Sequence, residues 1–245
     1  MTETLARTAE ELVRGLGLES PPVQVTYLDE APTGVPEHPG GVPSVCTFFA
    51  FGTRSPFFAG LPKHEECEVG AFVLGVRPEG AVGARLMETL GAMQREGYLN
   101  PGEESHVPHN PVAPKFVAYG PLGSLPFPPT GVLLFTNPRG AMLATEAAGS
   151  EPDAWTVPTN GRPMCAILPI LNQGAPVAVS FGCTGSRLYT DLGDDRLIVG
   201  VRGDRLSAFR EKLERVVRAN AYVRTEDTAR KASAARPFHR SVPPA

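Results

Sequence analysis

The chain predicts an α+β fold, with mixed β-sheets, flanking helices and two halves that echo each other as related lobes. Three observations predict it. Strand-like and helix-like segments alternate without regular strand–helix–strand spacing. The 26 glycines and 26 prolines imply many turns and short elements. Each half also carries two cysteines and a strand-like run ending in nearly the same letters, LGVR at 74–77 and VGVR at 199–202, with a helix-like segment after it.

The elements follow in order. Leu5, Leu12, Val13 and Leu16 keep helical spacing after Thr2, and Gly15 and Gly17 end that helix. Pro21-Pro22 leads into a strand at 23–28 with period-two alternation. Residues 29–44 carry prolines and glycines and read as loop. Residues 45–51 are β-branched and aromatic, which predicts a strand with Cys46 at its start. A second loop, 52–66, leads to Cys67. The run 69–76 is apolar on both faces, as a buried strand should be. Val82, Leu86, Leu90 and Met93 form one helical stripe. Residues 100–114 are polar and Pro-rich and read as the link between halves.

The second half restarts with strands at 115–119 and 131–136. Asn137-Pro138 then signals a helix start. Asn accepts from the first-turn amides, and Pro at the first helical position loses no needed donor, so a helix should run to about Ala148. Residues 164–171 and 176–182 read as the strands carrying Cys165 and Cys183, and 197–201 as a further strand. Asp204 should cap a helix that turns Leu206, Phe209, Leu213 and Val216 inward. Residues 225–245 hold few core formers and are expected to be a flexible C-terminal tail. The expectation is thus one α+β domain over 1–224, with lobes at about 1–99 and 115–224.

At 245 residues the chain can bury a sizeable core. Its net charge of −3 supplies no positive field to gather nucleic acid or anionic lipid. No stretch approaches the roughly 18 apolar residues of a membrane span. The first residues mix charge through their apolar positions and lack a signal-peptide core. A cytoplasmic protein is expected, in which cysteines serve as ligands, nucleophiles or core residues more often than as disulfides.

Four cysteines, Cys46, Cys67, Cys165 and Cys183, suit an iron–sulfur cluster or structural zinc by ligand type, although no C-x2-C knuckle is present. They would have to be gathered by the fold. The competing reading is four small buried hydrophobes. Cys183 sits in a Gly-bracketed turn, SFGCTGSR, where the backbone of Gly182, Thr184, Gly185 and Ser186 could donate to sulfide, thiolate or an anionic ligand. Arg187 beside it would lower a neighbouring thiol's pKa. His64, three residues before Cys67, could be a ligand, a proton donor or a base. Glu65, Glu66 and Glu68 would raise nearby thiol pKa values. Asp191, Gly193, Asp194 and Asp195 read as a polar turn, since the EF-hand pattern is absent. Walker, Rossmann, nucleophile-elbow and H-E-x-x-H motifs are all missing.

The series PPVQVTYLDEAPTGVP, a Cys-bearing segment and HEECEVGAFVLGV resembles a prokaryotic family catalogued as domain-of-unknown-function family 169. The second half, with KFVAYGPLGSLPFPPTGVLLFTNPRGAMLATEA, an isolated cysteine and VAVSFGCTGSR, resembles it too. The resemblance runs from about Pro21 to Val217, with CxVGAxxLG and GCxGSR in order. It implies a shared single-domain fold and cysteines at these four positions, and it supplies no reaction.

The leading expectation is therefore a cysteine-ligated metal centre, iron–sulfur in preference to zinc, for redox, sensing or substrate activation. Its metal ligands would be the four cysteines. His64, Gly182, Thr184, Gly185, Ser186 and Arg187 would support the centre or bind substrate. The alternatives are an enzyme with a Cys183 nucleophile, and a haem protein with a Cys or His axial ligand in the aromatic stretch 48–64. The partner would be a small-molecule substrate or a redox protein, with no nucleic acid and no membrane, and a homo-oligomer is left open.

Overall fold

Alternation sets the sheet. In β4 (Gly131–Thr136) and β7 (Leu197–Arg202), Leu133 and Ile198 face one side while Val132, Leu134, Val199 and Val201 face the other. The computed structural model describes residues 1–148, 157–190 and 192–233. In it these strands join β1 (Val23–Leu28), β2 (Phe57–Gly60), β3 (Phe116–Pro121), β5 (Thr159–Asn160) and β6 (Val177–Ser180). The result is a seven-stranded mixed sheet of order β2-β3-β1-β4-β7-β6-β5. Only the β5–β6 pairing is parallel. The fold is α+β.

Long helices cover one face of the sheet. They are α1 (Thr2–Leu16), α5 (Pro138–Ala148) and α8 (Leu206–Ser233), packed through Leu12, Leu16, Leu143, Ala144, Phe209 and Leu213. Gly17 closes α1 at φ 67. The Gly140 amide donates to Asn137 Oδ1 at 2.9 Å, the cap that the Asn-Pro pair predicts. Leu206, Phe209, Leu213 and Val216 are all buried, as expected. Asp204 pairs with Arg202 at 2.6 Å instead of capping α8. The helix itself continues to Ser233, into the segment expected to fray, and residues 234–245 lie outside the described residues, as does Asp191. No described helix is long and apolar enough to cross a membrane.

The other face carries short helices: α2 (Val45–Gly52), α3 (Glu68–Val73), α6 (Ile167–Asn172) and α7 (Thr184–Tyr189). An outer helix, α4 (Gly80–Arg95), leans on α3 and places Leu86 inward, with Thr89 donating to Glu68 at 2.6 Å. Three of these segments correct the sequence expectation. Residues 45–51, 69–76 and 164–171, expected as strands, are α2, α3 and a 3-10 turn followed by α6. Each is apolar all round because it is buried on nearly every side, so periodicity carries no helical signature. Burial of Phe48 and Phe49, with no exposed surface, also outweighs a propensity deficit of roughly half a kcal/mol per residue. Pro169 falls in the first turn of α6, where its missing N–H costs nothing.

The echoing letters do not form a structural repeat. LGVR closes α3 and turns at Gly75 (φ 97), whereas VGVR is part of strand β7. Strand β1, from the first expected lobe, is paired on both sides with strands of the second, β3 and β4. The expected link, 100–114, is partly packed. Asn110 is buried; its amide donates to the Val73 carbonyl at 3.0 Å and its side chain to the Tyr27 hydroxyl at 3.2 Å.

Candidate metal centre at four helix starts

The four cysteines lie where the short helices begin. Cys67 and Cys183 are the N-cap residues of α3 and α7, Cys46 is the second residue of α2, and Cys165 sits in the 3-10 turn that leads into α6. Cys46 and Cys165 are buried, Cys67 and Cys183 half-buried, and none forms a disulfide.

Each sulfur is tied to a segment that bears another cysteine. Cys46 lies close enough to Cys165 and Cys183 for both to act on its thiol. Cys183 Sγ accepts the amides of Ser186 and of Met164, the residue before Cys165. Cys67 Sγ accepts the Gly70 amide at 3.3 Å, the Val45 amide and the Ser44 side chain, immediately before Cys46. Cys46 is therefore the neighbour of both Cys165 and Cys183, and Cys67 borders the start of the helix that carries Cys46. Gly70 makes this approach possible. A Cβ there would stand 2.4 Å from Val45 Cγ2 and 2.9 Å from Cys67 Sγ.

Their surroundings hold Cys46, Cys67 and Cys183 protonated. Contact with Cys165 pushes Cys46 up, and burial adds to it. Contact with Cys46 does the same for Cys183, and burial raises Cys67. Arg187 does not offset this. Its guanidinium donates to the carbonyls of Phe181 and Leu192 at 2.7 and 3.4 Å and also to that of Gly193. It is a clasp on the surrounding turns, contrary to the expectation that it would lower the thiol pKa. The α7 start is fixed further by Ser186, whose Oγ accepts the Cys183 amide at 2.8 Å and donates to the Cys183 carbonyl at 2.7 Å. Gly182 precedes it at φ 82, a conformation that suits glycine. Thr184, exposed, and Gly185 form the first turn.

His64 takes a different role from ligand or base. It is fully buried, with Nδ1 3.0 Å from the Gly60 carbonyl and Nε2 2.9 Å from the Tyr119 hydroxyl. A carbonyl only accepts, so Nδ1 carries the hydrogen and Nε2 accepts from Tyr119. Both ring nitrogens are spent. Burial is the main cause that lowers its pKa to about 4, so the ring is neutral at physiological pH. Tyr119, stacked on Phe48 and Phe57, lies in the electrostatic field of Cys46 and Cys165, and Tyr27 in that of Cys165. His64 thus fixes the Tyr119 hydroxyl. Ser44, Tyr27 and Tyr119 escaped sequence reading. The available signal was two tyrosines at inward positions of otherwise aliphatic strands.

One side of the thiol group opens outward. Cys183 lines an open cleft of about 590 Å³ with Tyr98, Asn160, Arg162, Thr184 and Arg187. The donor set is all sulfur, supplied with backbone amides, and fits a soft metal or cluster in chemistry. Among the described residues no three or more His, Cys, Asp or Glu are spaced as a ready ion-holding group. The Cys67 and Cys183 sulfurs accept helix-start amides instead.

A family model described as "Uncharacterised ArCR", that of domain-of-unknown-function family 169, matches residues 11–212. No curated protein and no solved structure matches the chain.

Proposed function

We propose that this chain, which belongs to domain-of-unknown-function family 169, holds a cysteine-ligated metal centre, with an iron–sulfur cluster preferred to zinc. One observation carries the reading: four cysteines far apart in sequence stand at the starts of short helices on one face of the sheet, with Cys46 the neighbour of Cys165 and Cys183. Thiolate is the preferred ligand of iron–sulfur clusters, and backbone amides aimed at sulfur stabilise its negative charge. Cys46, Cys165 and Cys183 would be the inner ligands. Cys67 would complete the set by leaving its amide contacts at Val45 and Gly70. Zinc is the second choice because the donors come from four separate helix starts and not from a paired knuckle.

Loading must displace protons, since Cys46, Cys67 and Cys183 are held protonated. Binding should therefore strengthen as pH rises. Cys183 would be the ligand nearest solvent, so a small molecule or redox partner would approach from its cleft. Tyr119 and Tyr27 exclude water from the buried side. A cluster held by all four cysteines would supply electron transfer, and one held by Cys46, Cys165 and Cys183 alone would keep an open iron for substrate activation. A nucleophilic role for Cys183 is disfavoured by its raised pKa and by the engagement of Arg187 elsewhere.

The test is iron, zinc and labile-sulfide analysis of protein prepared without oxygen, with visible absorption. Iron and sulfide should be present together and be lost in Cys46→Ser. Colourless protein that takes up neither iron nor zinc on anaerobic reconstitution, with all four thiols free to titration, would refute the proposal.

A further inference from the structure

The cleft in front of Cys183 has chemistry of its own. Residues 160–162, following edge strand β5, form one wall, and 182–187 form the other. Arg162 is held in place: its guanidinium carbon lies 4.1 Å over the Tyr98 ring and its Nη2 is 2.8 Å from Glu103. A guanidinium has five N–H donors, more than those two neighbours can use. Asn160 is oriented by its own amide group, which donates to the Pro163 carbonyl at 2.7 Å. That leaves Asn160 Oδ1 buried and without a hydrogen-bond partner. A buried orphan acceptor calls for an O–H or N–H from something else.

We infer that this cleft binds a small carboxylate carrying a neighbouring hydroxyl or amino group. The carboxylate pairs with Arg162 beside the Thr184 hydroxyl, the ligand's O–H or N–H donates to Asn160, and the far end points toward Cys183. Glu103 offsets part of the Arg162 charge, and the Arg187 guanidinium is committed to main-chain carbonyls, so Arg162 is the discriminating cation. The site goes beyond the metal-centre reading and stands without it, because its walls contain no proposed ligand other than Cys183.

The experiment uses the reduced, metal-free full chain, so that its failure is separable from failure of the metal reading. Cys183 is alkylated by iodoacetate or by iodoacetamide and followed by peptide mass spectrometry. In both reactions the thiolate sulfur attacks the methylene carbon, the S–C bond forms, the C–I bond breaks, iodide departs and the thiol proton passes to buffer. Free thiols provide the baseline preference between the reagents. At Cys183 the iodoacetate-to-iodoacetamide rate ratio should exceed that of glutathione by about 10-fold, as one charge-assisted pair provides. Arg162→Gln should return the ratio to the glutathione value, with circular dichroism confirming an intact fold. Glu103→Gln, which removes the competing carboxylate, should raise the ratio, and lactate should slow iodoacetamide at Cys183. A ratio equal to that of glutathione, a ratio that survives Arg162→Gln, or no protection by lactate would overturn the inference.

Discussion

On one face of the sheet, α1, α5 and α8 run for 15, 11 and 28 residues; on the other, α2, α3, α6 and α7 run for 8, 6, 6 and 6, each beginning at or beside a cysteine. The long helices satisfy most of their backbone internally and offer aliphatic stripes. A six-residue helix is nearly all ends, since the first four amides of any helix lack an internal partner. A layer built from such pieces exposes many amide donors to its interior. Here sulfur takes several of them, as at Gly70, Val45, Ser186 and Met164. The contrast separates the work of the two layers: one holds the fold, and the other gathers thiols.

The sharpest way to break that separation pairs one substitution from each layer. Leu213→Ala, in the long-helix layer, should cost about 2–5 kcal/mol of stability by denaturant unfolding. Its metal content per folded chain should not change. Cys46→Ser removes the sulfur that meets both Cys165 and Cys183, and should bring iron and sulfide to background at a stability cost of about 1 kcal/mol. Metal loss in folded Leu213→Ala, or retention in Cys46→Ser, would show that the layers are not independent in this sense.

A pH effect is expected at His64, on the thiol side of the sheet. The pKa of His64 is lowered from 6.5 to about 4 in the folded protein. Between those values the unfolded chain binds the proton and the folded chain does not, so stability is full above pH 6.5 and falls as pH drops toward 4. The loss across the window is about 3 kcal/mol at 1.36 kcal/mol per unit. His64→Phe should remove that component of the slope in urea titrations at several pH values. An unchanged slope would mean the ring is not held neutral.

The same contrast explains what could be read in advance. Helical stripes such as Leu206, Phe209, Leu213 and Val216 were legible because one side faces water and the spacing stands out. Strand β1 was legible by alternation, and β4 and β7 as short apolar runs. Residues 45–51 and 164–171 were not, because helices buried on all sides have no polar face to mark their period. The cysteines were legible as residues but not as a group. Only the pairing of β1 with both β3 and β4, and the seating of short helices across that sheet, brings Cys46 beside Cys165 and Cys183. Arg187 misled for a related reason: adjacency in sequence suggested a thiol partner, while the folded turns present it with carbonyls.

A middle-sized effect is expected at Gly70. Alanine would place its Cβ 2.4 Å from Val45 Cγ2, so α3 must shift from α2 at a cost of about 1–3 kcal/mol. Because Cys67 leans on both the Gly70 and Val45 amides, the shift should free it. Gly70→Ala should therefore speed alkylation of Cys67 in metal-free protein more than that of Cys183. Equal acceleration of all four thiols would point to general loosening of the layer.

The smallest effect tests the long-helix layer by charge. Glu11 on α1 and Arg210 on α8 pair at 3.0 Å, with side chains 33% and 30% exposed. Water reaches both, so Glu11→Ala should cost about 0.5–1 kcal/mol, and less in high salt. The alkylation rate of Cys183 should be unchanged, because the pair joins two helices behind the sheet and touches neither the short helices nor the cleft. The pair between Glu214 and Arg218 within α8, more exposed still at 69% and 63%, should contribute less than Glu11–Arg210. If Glu11→Ala altered thiol reactivity at constant stability, a route through the sheet would have to carry the change. The strands facing that route, β4 and β7, are lined mostly by close-packed apolar side chains, and the buried Thr136 hydroxyl of β4 has no hydrogen-bond partner through which to relay a change.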